Sequence, residues 1–234
     1  SQTLFSIFGP INEHPDFYRR VVRNHDDIVI EGFPRSANTF ATYAFCQAQT
    51  RSLKVGNHFH SEMQIQLAGR YKIPALVVYR EPRAAIKSFI VYHLGKISAR
   101  QAINRYIDFH ESVLKTPEAF VAAPFEEITT DFGLSIDRLN SVFETNFSRF
   151  EHTDENVDAV YKRIKVKDDA RNNENSNNDS VVARLTTPSQ RKNELAQKYG
   201  DWLEDESLIP LLDRANSLYK EMNDIFSKQS LLHS

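Results

Sequence analysis

Arg35 stands in the first stretch whose residue types can do chemistry, Gly32-Phe-Pro-Arg-Ser-Ala-Asn-Thr39, directly after the apolar run Ile28-Val-Ile30. That run is short, β-branched and bounded by turn residues, so it reads as a buried strand. Gly32 and Pro34 break it, and Ser36 is placed as the N-cap of a helix through Thr39-Phe-Ala-Thr-Tyr-Ala-Phe45. Strand, tight turn and helix N-terminus aim backbone N–H groups at one spot, which favours a phosphate or sulfate; Arg35 adds a fixed positive charge. A second element has the same form. The strand pattern Pro74 to Tyr79 runs into Arg80-Glu-Pro-Arg-Ala-Ala-Ile-Lys-Ser88, with Pro82 suited to the first turn of a helix and Gly95 to its stop. A guanidinium fork and a hydroxyl across such a turn can bracket one phosphate. Taken singly, Arg80 paired with a carboxylate and Ser88 on a helix surface are the plainer readings.

The first loop lacks the G-x-x-x-x-G-K-[ST] spacing of a Walker A sequence, including its lysine and metal-binding hydroxyl. It resembles the 5′-phosphosulfate loop of sulfotransferases, written Gly-x-Pro-Arg/Lys-Ser-Gly-Thr-Thr, with Ala37 in place of glycine and Asn38 in place of threonine. Alanine forbids some positive-φ conformations but still allows close backbone approach, and Asn38 keeps a polar donor. Arg80 and Ser88 match, in type and spacing, the family pair that grips the 3′-phosphate of 3′-phosphoadenosine 5′-phosphosulfate (PAPS). More weakly, Ala119 to Asp131 resembles a family strand entering an acidic Tyr-Glu-Asp-Leu turn. Phe125-Glu-Glu-Ile128 takes that place, with a structural role before a helix near Ile136 to Phe143.

This resemblance, from about Asp27 to Phe147, implies a PAPS-dependent sulfotransferase. The implied fold is a single α/β domain over residues 1–234, with a central parallel β-sheet flanked by helices in a P-loop NTPase-like sulfotransferase architecture. PAPS is then the co-substrate. Its phosphosulfate would lie on Arg35, Ser36, Ala37, Asn38, Thr39 and Phe40, and its 3′-phosphate on Arg80 and Ser88. Arg184 to Lys192 lies where the family has a basic loop over that phosphate. Arg191 and Lys192 carry over, although Asn193 replaces the glycine that follows in cytosolic members. A helix-surface charge pair is the competing reading there.

Sulfuryl transfer needs a base near neutral pKa to take the acceptor's proton, which favours histidine. Cytosolic sulfotransferases place Lys-x-His between the two nucleotide motifs, and Asn57-His58-Phe59-His60-Ser61 occupies that interval. His60 matches if His58 takes the lysine position; with a shifted alignment His58 is the base. Glu62 is a third candidate, because other branches use glutamate. A metal site at His58 and His60 lacks a convincing third ligand and zinc-type spacing. A sulfuryl group carries less charge than a γ-phosphate, so the chemistry requires no metal. Two alternatives remain: an ATP-dependent phosphotransferase on the same scaffold, and a nucleotide-binding relative without catalysis, for which Ala37 and Asn38 speak.

A chain of 234 residues is long enough for one such domain. A net charge of −2 gives no case for bulk nucleic-acid or membrane binding. Cys46, the single cysteine, excludes an intramolecular disulfide and reads as a small core residue. No apolar segment reaches the length of a membrane span and no signal peptide opens the chain, so a soluble cytoplasmic relative is expected; an excised luminal domain stays open. Expected partners are a small-molecule, carbohydrate or lipid acceptor. The acceptor's identity and the oligomeric state are not written in the sequence. Aromatic residues such as Phe59, Phe89, Tyr92 and Phe109 either line an acceptor pocket or belong to the core.

The remaining pattern alternates as a parallel sheet requires. A short strand is expected over Ser52 to Val55, then helices over Ser61 to Tyr71 and Ser98 to Leu114. A further helix opens at Pro210, with Leu211, Ala215, Leu218, Met222 and Ile225 on one core-packing face. Residues 168–180 are polar without hydrophobic period and read as a mobile loop, either a solvated insertion or an active-site lid.

Overall fold

A computed structural model of the chain describes residues 21–57, 59–171 and 190–231. Strands β1 (Ile28–Gly32), β2 (Val55–Asn57), β3 (Ala75–Tyr79) and β4 (Val121–Pro124) form one parallel sheet in the order β2-β1-β3-β4. Parallel neighbours need crossovers, which helices supply. α1 (Asn38–Ala48) links β1 to β2, α2 (Met63–Tyr71) links β2 to β3, and α3 (Pro82–Tyr92) with α4 (Ala99–Val113) links β3 to β4. After the sheet come α5 (Phe125–Thr130), α6 (Phe132–Phe143), α7 (Asp154–Arg171), α8 (Gln190–Lys198) and α9 (Ile209–Ser230).

Every strand residue is buried, which is why β3 and the start of β1 appear in sequence as continuous apolar runs. Successive side chains still face opposite ways. Ile28, Ile30, Leu76, Val78 and Val121 join Phe40, Phe45, Ile136 and Phe150 in one core layer, under α1, α6 and α7. Val29, Val77, Tyr79 and Ala122 join Ile65, Ile90, Tyr106 and Leu218 in the other, under α2, α3, α4 and α9. Glu31 shares the second face with Val29, and it is fully buried there.

The α/β class with a central parallel sheet flanked by helices is the one the sequence implies, and several elements shift. The second strand lies at Val55–Asn57 because Asp27 accepts the Lys54 N–H at 2.7 Å and pairing with β1 starts at Ile28 and Val55. Phe125 to Ile128 do not lead loosely toward a helix at Ile136: they form α5, and α6 begins at Phe132 under an Asp131 cap. α7 continues through Arg171, so the expected loop 168–180 begins inside a helix, with Asp168 buried; residues 172–180 lie outside the described residues. On α9 the buried stripe runs through Leu212 rather than Leu211.

The chain steps from β1 outward to β2, then back across β1 to β3, with α1 on one face and α2 on the other. Such a reversal opens a crevice beyond the carboxyl ends of the two central strands. The loops leaving β1 and β3 are the two that carry Arg35 and Arg80.

Candidate functional site

Gly32, the last residue of β1, leaves no room for a side chain: an added Cβ would lie 2.0 Å from the Val78 carbonyl oxygen. The turn that follows passes through left-handed backbone at Arg35 (φ 72) and at Ala37 (φ 71), with Ser36 between them. Alternating hands of this kind turn successive N–H groups into one anion-binding concavity. Ala37 thus adopts the positive φ that a glycine would take without strain. It also occupies the N-cap position of α1 without any side-chain cap. Ser36, expected as that cap, is instead fully buried, and its hydroxyl has no hydrogen-bond partner. The left-handed residue after it moves the helix start by one position. Asn38 uses its amide inward, donating to the Phe33 carbonyl at 3.0 Å, so the donor expected to face a ligand ties the turn to its strand. Thr39 and Phe40 lie in the first turn of α1; the Phe40 ring is in the core against Phe150, leaving only its backbone to the loop.

The second motif meets the first. Arg80 leaves the end of β3 and donates from Nη1 to the Arg35 carbonyl at 3.2 Å. Arg35 Nε donates to Ser88 Oγ on α3 at 3.2 Å. The two guanidinium groups are further held by aromatic faces, Arg80 over Phe125 at 4.0 Å and Arg35 over Tyr92 at 5.6 Å. Tyr106 donates to the Arg80 carbonyl at 2.9 Å and so fixes the strand end from α4. Burial pushes the Arg35 guanidinium below its ordinary range, Tyr92 and Asp168 acting against that and Arg80 adding to it. Burial lowers Arg80 likewise, opposed by Glu126 and Glu81. Both remain charged, since no protein environment deprotonates arginine readily. Two cations held together in a desolvating crevice are stabilised by an added anion.

On the other side of β1, the loop after β2 carries His60, with left-handed backbone (φ 50) and a ring about a quarter exposed, at 23%. Its Nδ1 lies 2.9 Å from the Gly32 carbonyl oxygen. A carbonyl only accepts, so Nδ1 carries the proton and Nε2 the lone pair. That is the tautomer of a general base. Beneath the loop, Glu31 accepts the Phe59 N–H at 2.7 Å and the His60 N–H at 3.0 Å. Burial raises the Glu31 carboxyl to about 8, opposed by hydrogen bonds from Phe59, His60, Gly32 and Gln64.

Glu62 sits at the N-cap position of α2 without a side-chain cap bond. His58 lies outside the described residues. Arg191 and Lys192 fall in the first turn of α8, which packs against α3, so the expected basic loop ends as a helix; residues 184–189 lie outside the described residues. Phe109 is buried in the core and Phe89 stands at its edge, each edge-on to Phe33. Cys46 is half-buried, and burial pushes its thiol up to about 11, away from reactivity. Among the described residues no three His, Cys, Asp or Glu side chains are grouped to hold a metal ion, and no helix is long and apolar enough to cross a membrane.

Glu31 and Tyr106 were not singled out from the sequence, and Tyr92 was named there only as an aromatic of an acceptor pocket or of the core. For Glu31 a signal existed: an acidic residue interrupting an apolar strand, on the face its alternation sends into the core. For Tyr106, and for the contact of Tyr92 with Arg35, there was none, because α3 and α4 reach the turn only through the fold.

No family model matches the chain, and no curated protein does. Among solved structures the chain is similar to mouse sulfotransferase SULT7A1 complexed with PAP, at 10% identity over 82% of this chain and 89% of that one, with a TM-score of 0.41. The functional reading therefore rests on the residues of this chain.

Proposed function

We propose that the chain is a PAPS-dependent sulfotransferase with His60 as base. The observation that carries the reading is the convergence of Arg35, Arg80 and Ser88, drawn from two strand–helix turns and linked by hydrogen bonds at the sheet's switch point. The residues fit the donor nucleotide by charge: two guanidinium groups and an alternating-hand turn beside them suit a molecule with anionic groups at both ends. The turn after β1 would hold the 5′-phosphosulfate, and Arg80 with Ser88 the 3′-phosphate. As the acceptor oxygen bonds to sulfur, His60 Nε2 takes its proton. The bond from sulfur to the bridging oxygen breaks, its electron pair staying on the 5′-phosphate to leave 3′,5′-adenosine bisphosphate. Arg35 and the backbone N–H groups of the turn stabilise the charge that grows on that oxygen. The left-handed turn forms even with Ala37 in it, so the substitution does not by itself argue for a relative without catalysis.

Calorimetric titration with 3′,5′-adenosine bisphosphate, without metal and beside Mg²⁺-ATP, tests the donor site. Binding of the bisphosphate that collapses in Arg80→Ala supports the reading. Preference for Mg²⁺-ATP, or binding of neither, sinks it.

A further inference from the structure

Residues 31 and 32 hold His60 at both of its ends. Gly32 engages the ring through its carbonyl at Nδ1. Glu31, one residue earlier and pointing to the α2 face, engages the backbone: Oε1 takes the Phe59 N–H at 2.7 Å and Oε2 the His60 N–H at 3.0 Å. A carboxyl group whose two oxygens accept from two consecutive amides fixes the path of the chain between them, and here that path includes the left-handed φ of His60. Non-glycine residues hold such a conformation only where the surroundings impose it. Oε2 also lies 3.9 Å from His60 Nδ1, on the proton-bearing side of the ring. The carboxyl is itself fully buried and receives a further hydrogen bond from Gln64 on α2.

We propose that Glu31 is the positioning residue for His60: it sets the loop conformation in which the Nδ1–H meets the Gly32 carbonyl, so that Nε2 is the nitrogen carrying the lone pair. A buried carboxyl is a poor choice for mere packing, since an apolar residue would fill the space without the desolvation cost. Its position on β1 couples the base to the same strand end that starts the phosphosulfate turn. The part of the inference that concerns catalysis rests on the sulfotransferase reading; the part that concerns the ring does not.

The test uses ¹⁵N-histidine-labelled protein, with the His60 resonances identified by their absence from His60→Ala. Wild type is expected to show the Nδ1–H tautomer at His60. Glu31→Gln, which puts an amide N–H against one of the two backbone N–H groups, is expected to leave the ring exchanging between tautomers. Glu31→Asp, too short to span both amides, serves as the second variant should the first fold poorly. With PAPS and an accepted substrate, kcat should fall about 10–100-fold, with bisphosphate affinity within about twofold of wild type. In a His60→Ala background Glu31→Gln should lower kcat no further. An unchanged His60 tautomer in both variants overturns the proposal. So does an equal loss of kcat in the two backgrounds, which would make Glu31 a general support of the fold. If wild type transfers no sulfuryl group, the sulfotransferase reading fails alone, and the ring nitrogens still decide the role of Glu31.

Discussion

At Gly32 a single methyl group decides whether β1 and β3 can pair. Its Cβ would stand 2.0 Å from a backbone oxygen of Val78, an atom that cannot swing away. Gly32→Ala should therefore cost on the order of 3 kcal/mol, read as a lower midpoint in urea unfolding; a shift under about 0.5 kcal/mol would show that the strands part easily. His60→Ala is the complementary case, a ring about a quarter exposed whose loss leaves the fold intact. It should lower kcat by about 10²–10⁴-fold while the bisphosphate Kd stays within about twofold, and full activity would return His58 or Glu62 as the base. Residue chemistry made much of this site legible. Arg35 was named from residue type and its strand–turn–helix setting, and Arg80, Ser88 and His60 from the resemblance to sulfotransferase motifs; the fold links Arg35, Arg80 and Ser88 by hydrogen bonds. What local spacing does not contain is which groups cross between loops: the Glu31 carboxylate, the Tyr106 hydroxyl and the inward turn of Asn38 each depend on an element distant in sequence.

Among the elements, β4, α5, α6 and α9 are fastened by one buried ion pair. Arg138 on α6 donates to Glu127 on α5 and to the Ala122 carbonyl of β4 at 3.2 Å, and its guanidinium lies 4.5 Å over the Phe226 ring of α9. Ser135 donates to the same carboxylate. The segment Phe125 to Ile128 thus has the structural role its sequence suggested, with Glu127 as the part that bears it. Removing one partner strands a charge that is 4% exposed in Arg138. Glu127→Ala should cost about 3–5 kcal/mol, and the double change Glu127→Leu with Arg138→Met should recover most of it; unfolding in urea compares the three proteins. A double variant no more stable than Glu127→Ala would mean that the pair's hydrogen bonds, rather than relief of an unpaired charge, govern this corner. The same region shows where elements were hard to read. β1 and β3 are apolar runs between turn residues, and α4 carries its Ser98 capping box in plain sequence. The short α5 has no period long enough to detect, and the extension of α7 through Arg171 runs against a polar composition that favours a loop.

Among the described residues, two fully buried groups with large shifts make the stability of the molecule depend on pH in opposite directions. Glu31 has its carboxyl raised from 4.5 to about 8 by burial. Between those values the folded chain keeps a proton that the unfolded chain has released, so its contribution is complete at low pH and is lost as pH rises. His110 is fully buried, and burial lowers its imidazole from 6.5 to about 4 against the pull of the hydrogen bond that Nδ1 donates to the Tyr106 carbonyl. There the unfolded chain takes up a proton that the folded chain refuses, so stability is lost as pH falls. From about pH 4.5 to 6.5 the two slopes oppose each other, and His93, whose imidazole is likewise lowered by burial, adds to that of His110. Above 6.5 Glu31 is the one of these groups that still titrates, and one pKa unit is worth about 1.4 kcal/mol, so stability should fall by about 2 kcal/mol by pH 8. A net charge of −2 is too small for overall self-repulsion to produce such a decline. Urea unfolding at fixed ionic strength, without nucleotide because a ligand of the folded state would mask the slope, measures it directly. Glu31→Gln should abolish the fall above pH 6.5 and uncover a rise up to that pH, which belongs to His110 and His93. A wild-type profile that is flat or rising from pH 6.5 to 8 would mean that Glu31 is already ionised in the folded chain, held by the Phe59 and His60 amides more strongly than burial opposes it.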